Sequence, residues 1–240
     1  MIRLAVYGAA GRMGARICTL ARDDPRFDLV AQIDPAIDLT TTRTAYVSPD
    51  VIIDFSSDEG TRSATRFAIE HRLAILVGTT GLSSQTLRAI DVAAGSVPAM
   101  VAANTSFGVA VLTHLATQAA RLLGDGYDVN LTEVHHAGKR DKPSGTALRI
   151  AERLRRDAGI ELPADRIHAI RGGDVVGEHT VEFAADGERI RLCHIATSRD
   201  LFARGALRAA AWLHGQAPGL YTIEQALGLP ASNQSQARSD

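Results

Sequence analysis

Lysine is nearly absent from this 240-residue chain: of 26 basic residues, only Lys139 and Lys142 are lysine and the other 24 are arginine. No apolar run is long enough to cross a bilayer, which excludes a spanning helix. The chain opens on a strand pattern rather than a signal peptide, so a cytoplasmic location is expected. Cysteine is scarce as well: Cys18 and Cys193 lie far apart and match no metal or redox spacing, so packing roles and no metal site are expected. With a net charge of −1 and a pI near 6.7, the chain carries no general signal for nucleic acid or a membrane surface. What is plentiful is apolar content, 45% of residues, enough for a full core in one large domain or two smaller ones. The pattern along the chain favours two.

The scarcity of lysine singles out the stretch that holds both of them. Residues 133 to 148 read EVHHAGKRDKPSGTAL, crowding adjacent histidines, the lysines and a Pro-Ser-Gly-Thr turn into one segment. Upstream, Tyr127 to Val134 alternates apolar and polar residues, which predicts a strand delivering His135 and His136 to its end. Downstream, Leu148, Ala151 and Leu154 share a helical face. The motif therefore falls in a strand-to-helix loop, where catalytic side chains concentrate. Lysine can lose a proton when burial or neighbouring cations lower its pKa, whereas arginine effectively cannot, so Lys139 is a candidate proton donor. Ser144 can cap the helix, and Gly145 and Thr146 offer it unpaired N–H groups, a setting that suits a carboxylate or phosphate. An ordinary Ser-capped helix and two lysines on a solvated loop are the plainer readings of the same residues.

The first hundred residues read differently. Ile2 to Tyr7 is a short apolar strand followed at once by Gly8-Ala9-Ala10-Gly11-Arg12-Met13-Gly14 and a helical stretch to Ala21. Strand, glycine turn and helix form a phosphate-binding entry, here spaced GxxGxxG rather than GxGxxG. A second strand, Phe27 to Ile33, ends at Asp34, where a dinucleotide fold places the carboxylate that binds the ribose hydroxyls. Pro35 follows it, not arginine, which favours NADH over NADPH, although Arg12 and Arg16 could reverse that preference. Asp38 to Ser48 is read as loop. Strands at Val51 to Phe55, Leu73 to Val77 and Pro98 to Ala103 alternate with helices at Glu59 to His71 and Ser83 to Ala94. Gly8, Asp34, Ser56, Gly78 and Asn104 thus all fall at strand carboxyl ends, where a doubly wound sheet holds its ligand.

After Asn104 the style changes to a long helix (Val109 to Leu123), the motif strand and its helix. A loop with Pro163 follows, then a hairpin of Glu178 to Ala184 and Glu188 to Ile195 joined through Asp186-Gly187. Helices at Leu201 to Leu213 and Ile223 to Leu227 close the chain, with a polar tail of ASNQSQARSD. The expected class is α/β: an N-terminal Rossmann-like doubly wound parallel sheet plus a C-terminal α+β domain with a mixed sheet. The divisions are 1–105 for the dinucleotide-binding domain and 106–215 for the substrate-binding, catalytic and oligomerisation domain, with about 216–240 packing back onto the first.

These residues resemble the 4-hydroxy-tetrahydrodipicolinate reductase family, formerly dihydrodipicolinate reductase, over about residues 2 to 229. The most specific element is E-x-HH-x-x-K-x-D-x-PSGTA, here Glu133, His135, His136, Lys139, Asp141 and Pro143 to Ala147. GAAGRMG at 8 to 14, DFSSDEGT at 54 to 61, VGTTG at 77 to 81, AANTSFGV at 102 to 109, GEHTVEF at 177 to 183 and SRDLFARGAL at 198 to 207 support it. The resemblance implies NAD(P)H-dependent reduction of a cyclic imine dicarboxylate with loss of water, in the diaminopimelate route of lysine biosynthesis.

It also implies site roles. His135 matches the acid/base group and Lys139 a proton donor or substrate anchor. His136, Ser144, Gly145 and Thr146 match positions holding the substrate carboxylates. Gly8, Ala9, Ala10, Gly11, Arg12, Met13, Asp34, Gly78, Thr79, Thr80, Ala102, Ala103, Asn104 and Thr105 match cofactor contacts. A homotetramer joined through the C-terminal sheet is implied too. Three departures from the family's pattern stand out: a shorter segment between Asp34 and Asp50, Asp58 in place of a frequent proline, and Thr105 where some members place an aromatic or methionine beside the nicotinamide. A nucleotide-binding regulatory homologue without turnover, or a related imine or amino-acid dehydrogenase, is the alternative function.

Overall fold

A computed structural model of the chain describes residues 1–34, 39–42 and 48–229. The described residues form two compact units, one of residues up to 106 together with those from 200 to 229, the other of 107–199.

In the first unit, strands β1 (Ile2–Tyr7), β2 (Phe27–Asp34), β3 (Leu39–Thr42), β4 (Val51–Asp54), β5 (Ala74–Val77) and β6 (Pro98–Val101) join a last strand, Gly219–Tyr221, in a seven-stranded sheet. Its order, starting from that last strand, runs through β6, β5, β4, β1 and β2 to β3, and all neighbours are parallel except β2 with β3. The chain reverses its direction of travel across the sheet at β1, which lies between β2 and β4; this is the crevice in which such sheets bind ligands. Helices α1 (Arg12–Arg22), α2 (Asp58–His71) and α3 (Ser84–Ala94) connect the strands.

Strands β4 and β5 are buried at every residue, as their unbroken apolar runs require of strands covered on both faces. Ile52, Ile75, Val77 and Ala99 pack with Ala64, Ala68, Ile90 and Ala93 of α2 and α3. At roughly 25 cal/mol per Å² of apolar surface removed from water, side chains of this kind supply the main favourable term for the unit.

The second unit begins with α4 (Phe107–Leu123). It continues through β7 (Asp128–His135), α5 (Gly145–Ala158), β8 (Ile167–Arg171), β9 (Gly177–Ala185) and β10 (Glu188–Ala196). Its sheet has the order β10-β9-β7-β8, with β7 parallel to β8 and antiparallel to β9, hence mixed. Val129 and Leu131 of β7 meet Val181 and Phe183 of β9 and Leu112, Ile150 and Leu154 of the two helices in one apolar layer.

Four expectations are corrected. Part of the stretch read as loop, Leu39–Thr42, is β3, paired antiparallel with Ala31–Asp34; residues 35–38 and 43–47, Pro35 included, lie outside the described residues, as does the polar tail from residue 230. The loop after Pro163 contains β8, whose five residues run parallel to β7. Helix α6 (Asp200–Leu213), expected in the second domain, belongs to the first unit, where seven buried residues including Ala206 and Leu207 pack it beside α1, β4 and β5. The return of the chain to the first sheet therefore starts near residue 200, not 216, and ends in β11 (Gly219–Tyr221) along β6. Finally, Cys18 is buried as expected, but Cys193 is exposed, because its side chain falls on the sheet face opposite the helices.

Candidate active site

The glycine turn after β1 is closed by contacts that only glycine permits. Gly8 adopts φ +74°, and a Cβ there would collide with the carbonyl of Phe55; a Cβ on Gly14 would collide with the carbonyl of Gly8. The backbone N–H groups of Gly8 and Ala9 donate to the Ile33 carbonyl at 2.8 and 3.2 Å, and that of Ala10 donates to Asp34 Oδ2 at 3.1 Å. Asp34 is thereby tied to the turn it was expected to accompany. Gly11 caps α1 without a side-chain hydrogen bond, leaving the helix N-terminus able to receive an anion. A cleft of about 580 Å³ opens here, lined by Gly8, Gly11, Asp34, Ser57, Ser63 and Arg66 among others.

Behind the cleft sits a residue to which the sequence reading gave no role. Asp54, fully buried at the end of β4, accepts hydrogen bonds from Ser56 Oγ, from Thr61 Oγ1 at 2.5 Å and from Thr79 Oγ1 at 2.8 Å. Burial pushes its carboxyl above the ordinary range, and the three hydroxyls partly oppose that. Thr79 also accepts the N–H of Ser56 at 2.9 Å, so the loops after β4 and β5 are joined through buried polar groups.

The other expected cofactor residues follow β5 and β6. Thr80 is exposed, while Thr105 is buried with its hydroxyl donating to the Phe202 carbonyl at 2.7 Å. Asn104 Oδ1 accepts the N–H of Ser106 at 2.8 Å. Arg16 is committed to an ion pair with Asp200, whereas Arg12 is exposed.

In the second unit the alternation of β7 carries the chemistry. Val129, Leu131, Glu133 and His135 share one face, so the face that begins apolar ends in an acid and an imidazole at the same depth. Glu133 is completely buried and His135 is 9% exposed. His135 Nδ1 hydrogen-bonds Glu133 Oε2, while Glu133 Oε1 accepts Arg171 Nη2 at 2.7 Å and the N–H of Ser144 at 3.2 Å. Burial works against the Glu133 carboxylate, yet the hydrogen bonds from Arg171 and His135 outweigh it and hold its pKa below the usual value. For His135, burial dominates and lowers the pKa, with Glu133 pulling the other way and Lys139 and Arg171 adding to the decrease.

His179 of β9 stacks edge-on against His135 with ring centroids 5.2 Å apart. Its pKa is pushed down to about 4, first by burial and then by the His135 charge. Its Nε2 lies 3.4 Å from Ser144 Oγ, which caps α5 by accepting the N–H of Ala147 at 3.2 Å. Ser144 is therefore held as a buried cap, while Gly145 is exposed and Thr146 and His136 are half-buried. Lys139 is ion-paired with Asp141 at 2.8 Å on the connecting loop.

His135, Lys139 and the Ser144 turn stand out in the sequence, whereas Arg171 and His179, which the fold brings against Glu133 and against His135 and Ser144, carry no local signal. Glu133, His135 and His179 each bring a metal-ligand type of atom within 4.8 Å of one another. The two oxygens of Glu133 are already engaged, one by the Arg171 guanidinium and the other by His135, and an arginine at that distance opposes a second cation.

Comparison with known proteins agrees with this layout. Residues 2–105 match the family described as dihydrodipicolinate reductase, N-terminus, and residues 108–227 match dihydrodipicolinate reductase, C-terminus. The 4-hydroxy-tetrahydrodipicolinate reductase of Syntrophotalea carbinolica is 38% identical, with 95% of this chain and 100% of that protein covered. That of Anaeromyxobacter dehalogenans is 40% identical, with 95% and 98% covered. The solved structure of dipicolinate-bound dihydrodipicolinate reductase from Paenisporosarcina sp. TG-14 shares the fold, with a TM-score of 0.78 at 22% identity and 92% and 97% of the two chains covered. Sequence and fold thus agree along nearly the whole length, and the chain belongs to the dihydrodipicolinate (4-hydroxy-tetrahydrodipicolinate) reductase family.

Proposed function

We propose that this chain reduces 4-hydroxy-tetrahydrodipicolinate to tetrahydrodipicolinate, with loss of water, in the diaminopimelate route of lysine biosynthesis. The observation that carries the reading is the match of both halves to that reductase family. The intact His135-to-Thr146 motif, whose acid/base and anion-holding groups suit such a substrate, supports it. A reduced nicotinamide cofactor, held by the glycine turn, Asp34 and the loops after β5 and β6, supplies the hydride.

The residues of the second unit handle protons and charge. His135 acts as the acid/base group, since both loss of a hydroxyl as water and hydride addition to an unsaturated imine require a proton to move, and an imidazole does so near neutrality. Lys139 donates a proton or anchors a carboxylate. His136 and the Ser144-Gly145-Thr146 turn hold the substrate carboxylates, the turn presenting backbone N–H groups at a helix N-terminus.

NADH is the preferred cofactor in this reading, because the Asp34 carboxylate suits free ribose hydroxyls and repels a 2′-phosphate. Arg66, in the same cleft, is the cation that would favour NADPH instead. The protein acts as a cytoplasmic homotetramer joined through the second sheet, whose helix-free face leaves Ile170 51% and Ile195 58% exposed; no helix among the described residues is long and apolar enough to cross a membrane.

The test is oxidation of NADH and NADPH with the freshly generated aldolase condensation product. Turnover is expected with either cofactor, with the higher kcat/KM for NADH. Cofactor binding without oxidation would replace this reading with that of a regulatory homologue. Oxidation only with other imines or amino acids would point to a related dehydrogenase.

A further inference from the structure

The acid/base group of the proposed function sits in a setting that constrains which of its nitrogens can react. Glu133 has no exposed surface and takes part in three hydrogen bonds from three elements: His135 from its own strand, two residues on; Arg171 from β8; and the N–H of Ser144 from the head of α5. Register explains the convergence. β7 and β8 run parallel with His135 opposite Arg171, while β7 and β9 run antiparallel with Glu133 opposite His179. One sheet face therefore carries Glu133, His135, Arg171 and His179 together.

Arg171 is anchored independently. Its guanidinium also donates to the carbonyl of Ile170 and to that of Asp141, each at 2.6 Å, so backbone oxygens as well as Glu133 hold the cation in place. A buried carboxylate with an arginine this close stays ionised and can only accept hydrogen bonds. The ring nitrogen facing it must then carry the proton, and in a neutral imidazole this leaves the other nitrogen bare. The free side of the ring is kept open by Gly177, next in line on β9: a Cβ at that position would lie 3.0 Å from His135 Nε2. His179 packs edge-on and sets the ring plane.

We propose that Glu133 is a positioning residue for this reaction: clamped by Arg171, it fixes His135 as the tautomer protonated at Nδ1 and reserves Nε2 for proton exchange with substrate. The same carboxylate holds the N–H of Ser144, so the imidazole and the carboxylate-binding turn are registered to each other by one side chain. The proposal rests on the reading of His135 as the acid/base group. It adds the reacting nitrogen, the tautomer and the residues that enforce them.

Two measurements test it. The first is nitrogen-15 NMR of the histidine-labelled full-length protein above the His135 pKa, with His135→Asn to assign the ring signals. A protonated Nδ1 and a bare Nε2 are expected, and an Nε2-protonated or mixed tautomer would overturn the proposal. This readout does not depend on turnover, so an inactive protein with the expected tautomer would sink the functional reading, and the positioning role with it, while leaving the tautomer assignment standing.

The second is the kinetics of Glu133→Gln, whose amide cannot fix the tautomer. A fall in kcat of about 10²–10⁴-fold is expected with little change in KM, by analogy with the loss of a carboxylate behind a catalytic imidazole. The groups facing His135 are Glu133, Arg171 of β8, His179 of β9 and Lys139 of the loop; only Glu133 raises the imidazole pKa. Removing its charge should therefore move the histidine limb of the kcat/KM profile to lower pH. A near-wild-type kcat with an unmoved limb would show that Glu133 and Arg171 form a merely structural pair. Because a lone buried Arg171 can prevent folding, Glu133→Gln with Arg171→Met, which removes both charges, carries the same kinetic test.

Discussion

The ammonium of Lys139 lies 2.8 Å from the carboxylate of Asp141, two residues further along the same loop. Asp141 is held below the ordinary carboxylate range by that lysine first, and it also draws the N–H of Gly145. A carboxylate of the protein itself thus occupies groups assigned to the carboxylates of the substrate. Asp141→Asn is expected to lower KM for the dicarboxylate, by no more than about fivefold, because an exposed pair is worth roughly 0.2–1 kcal/mol. Steady-state kinetics at low and moderate salt check this, and a raised KM would mean that Asp141 orients Lys139 instead of competing for it.

Lys139→Ala separates the two roles open to that residue. If Lys139 donates a proton in the transition state, kcat falls about 10²–10⁴-fold. If it only anchors a carboxylate, the loss lies in KM, and a rate close to wild type at saturating substrate excludes proton donation.

Asp34→Ala reads cofactor choice. Oδ2 of Asp34 accepts the N–H of Ala10 at 3.1 Å, which ties the carboxylate to the glycine turn. Calorimetric titration should show NADH weakened more than NADPH. Equal weakening of both would mean that the residue supports the turn without reading the ribose.

Gly177→Ala should impair the reaction without unfolding the sheet. The new methyl would stand 3.0 Å from His135 Nε2, tight enough that the ring must shift. Since misplacing a reacting group by an ångström can cost about 10²-fold, a loss in kcat of roughly tenfold is expected for a smaller displacement. Thermal denaturation alongside kinetics checks it; unchanged kcat would mean that the imidazole has room to move.

Asp58 links the starts of two helices, accepting the Ser83 N–H at 2.8 Å and Arg62 Nη1 at 2.5 Å. Hydrogen bonds, first from Thr86 and then from the Ser83 backbone, push its carboxyl down to about 2 from 3.8. A depressed carboxylate contributes stability that is fully present above the unfolded value and is lost as pH falls through the folded one. Asp58→Ala should therefore lower Tm by a constant amount at neutral and mildly acidic pH, and the gap should narrow between pH 3.8 and about 2. A gap that widened on acidification would contradict this assignment.

Much of the fold and the site was legible because the relevant signals are local. The glycine turn at Gly8 to Gly14, the alternation of Tyr127 to Val134 and the Asp186-Gly187 turn each describe their own few residues. The same holds for His135, Lys139 and Ser144, which lie within ten positions of one another. Less legible were β3, β8 and β11, short strands that lack the apolar runs marking the equally short β4 and β5. Their strand character comes from the neighbour each one pairs with.

By itself, then, the sequence determined the two styles of sheet, the loop that bears the chemistry and the family. Only the tertiary structure decided that α6 returns to the first unit, that Asp54 gathers Ser56, Thr61 and Thr79, and that Arg171, 38 residues away, clamps Glu133 beside His135. The physical reason is that patterning fixes which face of an element is buried, whereas strand register fixes which buried polar groups meet. Register is a property of two elements, and neither one encodes it alone.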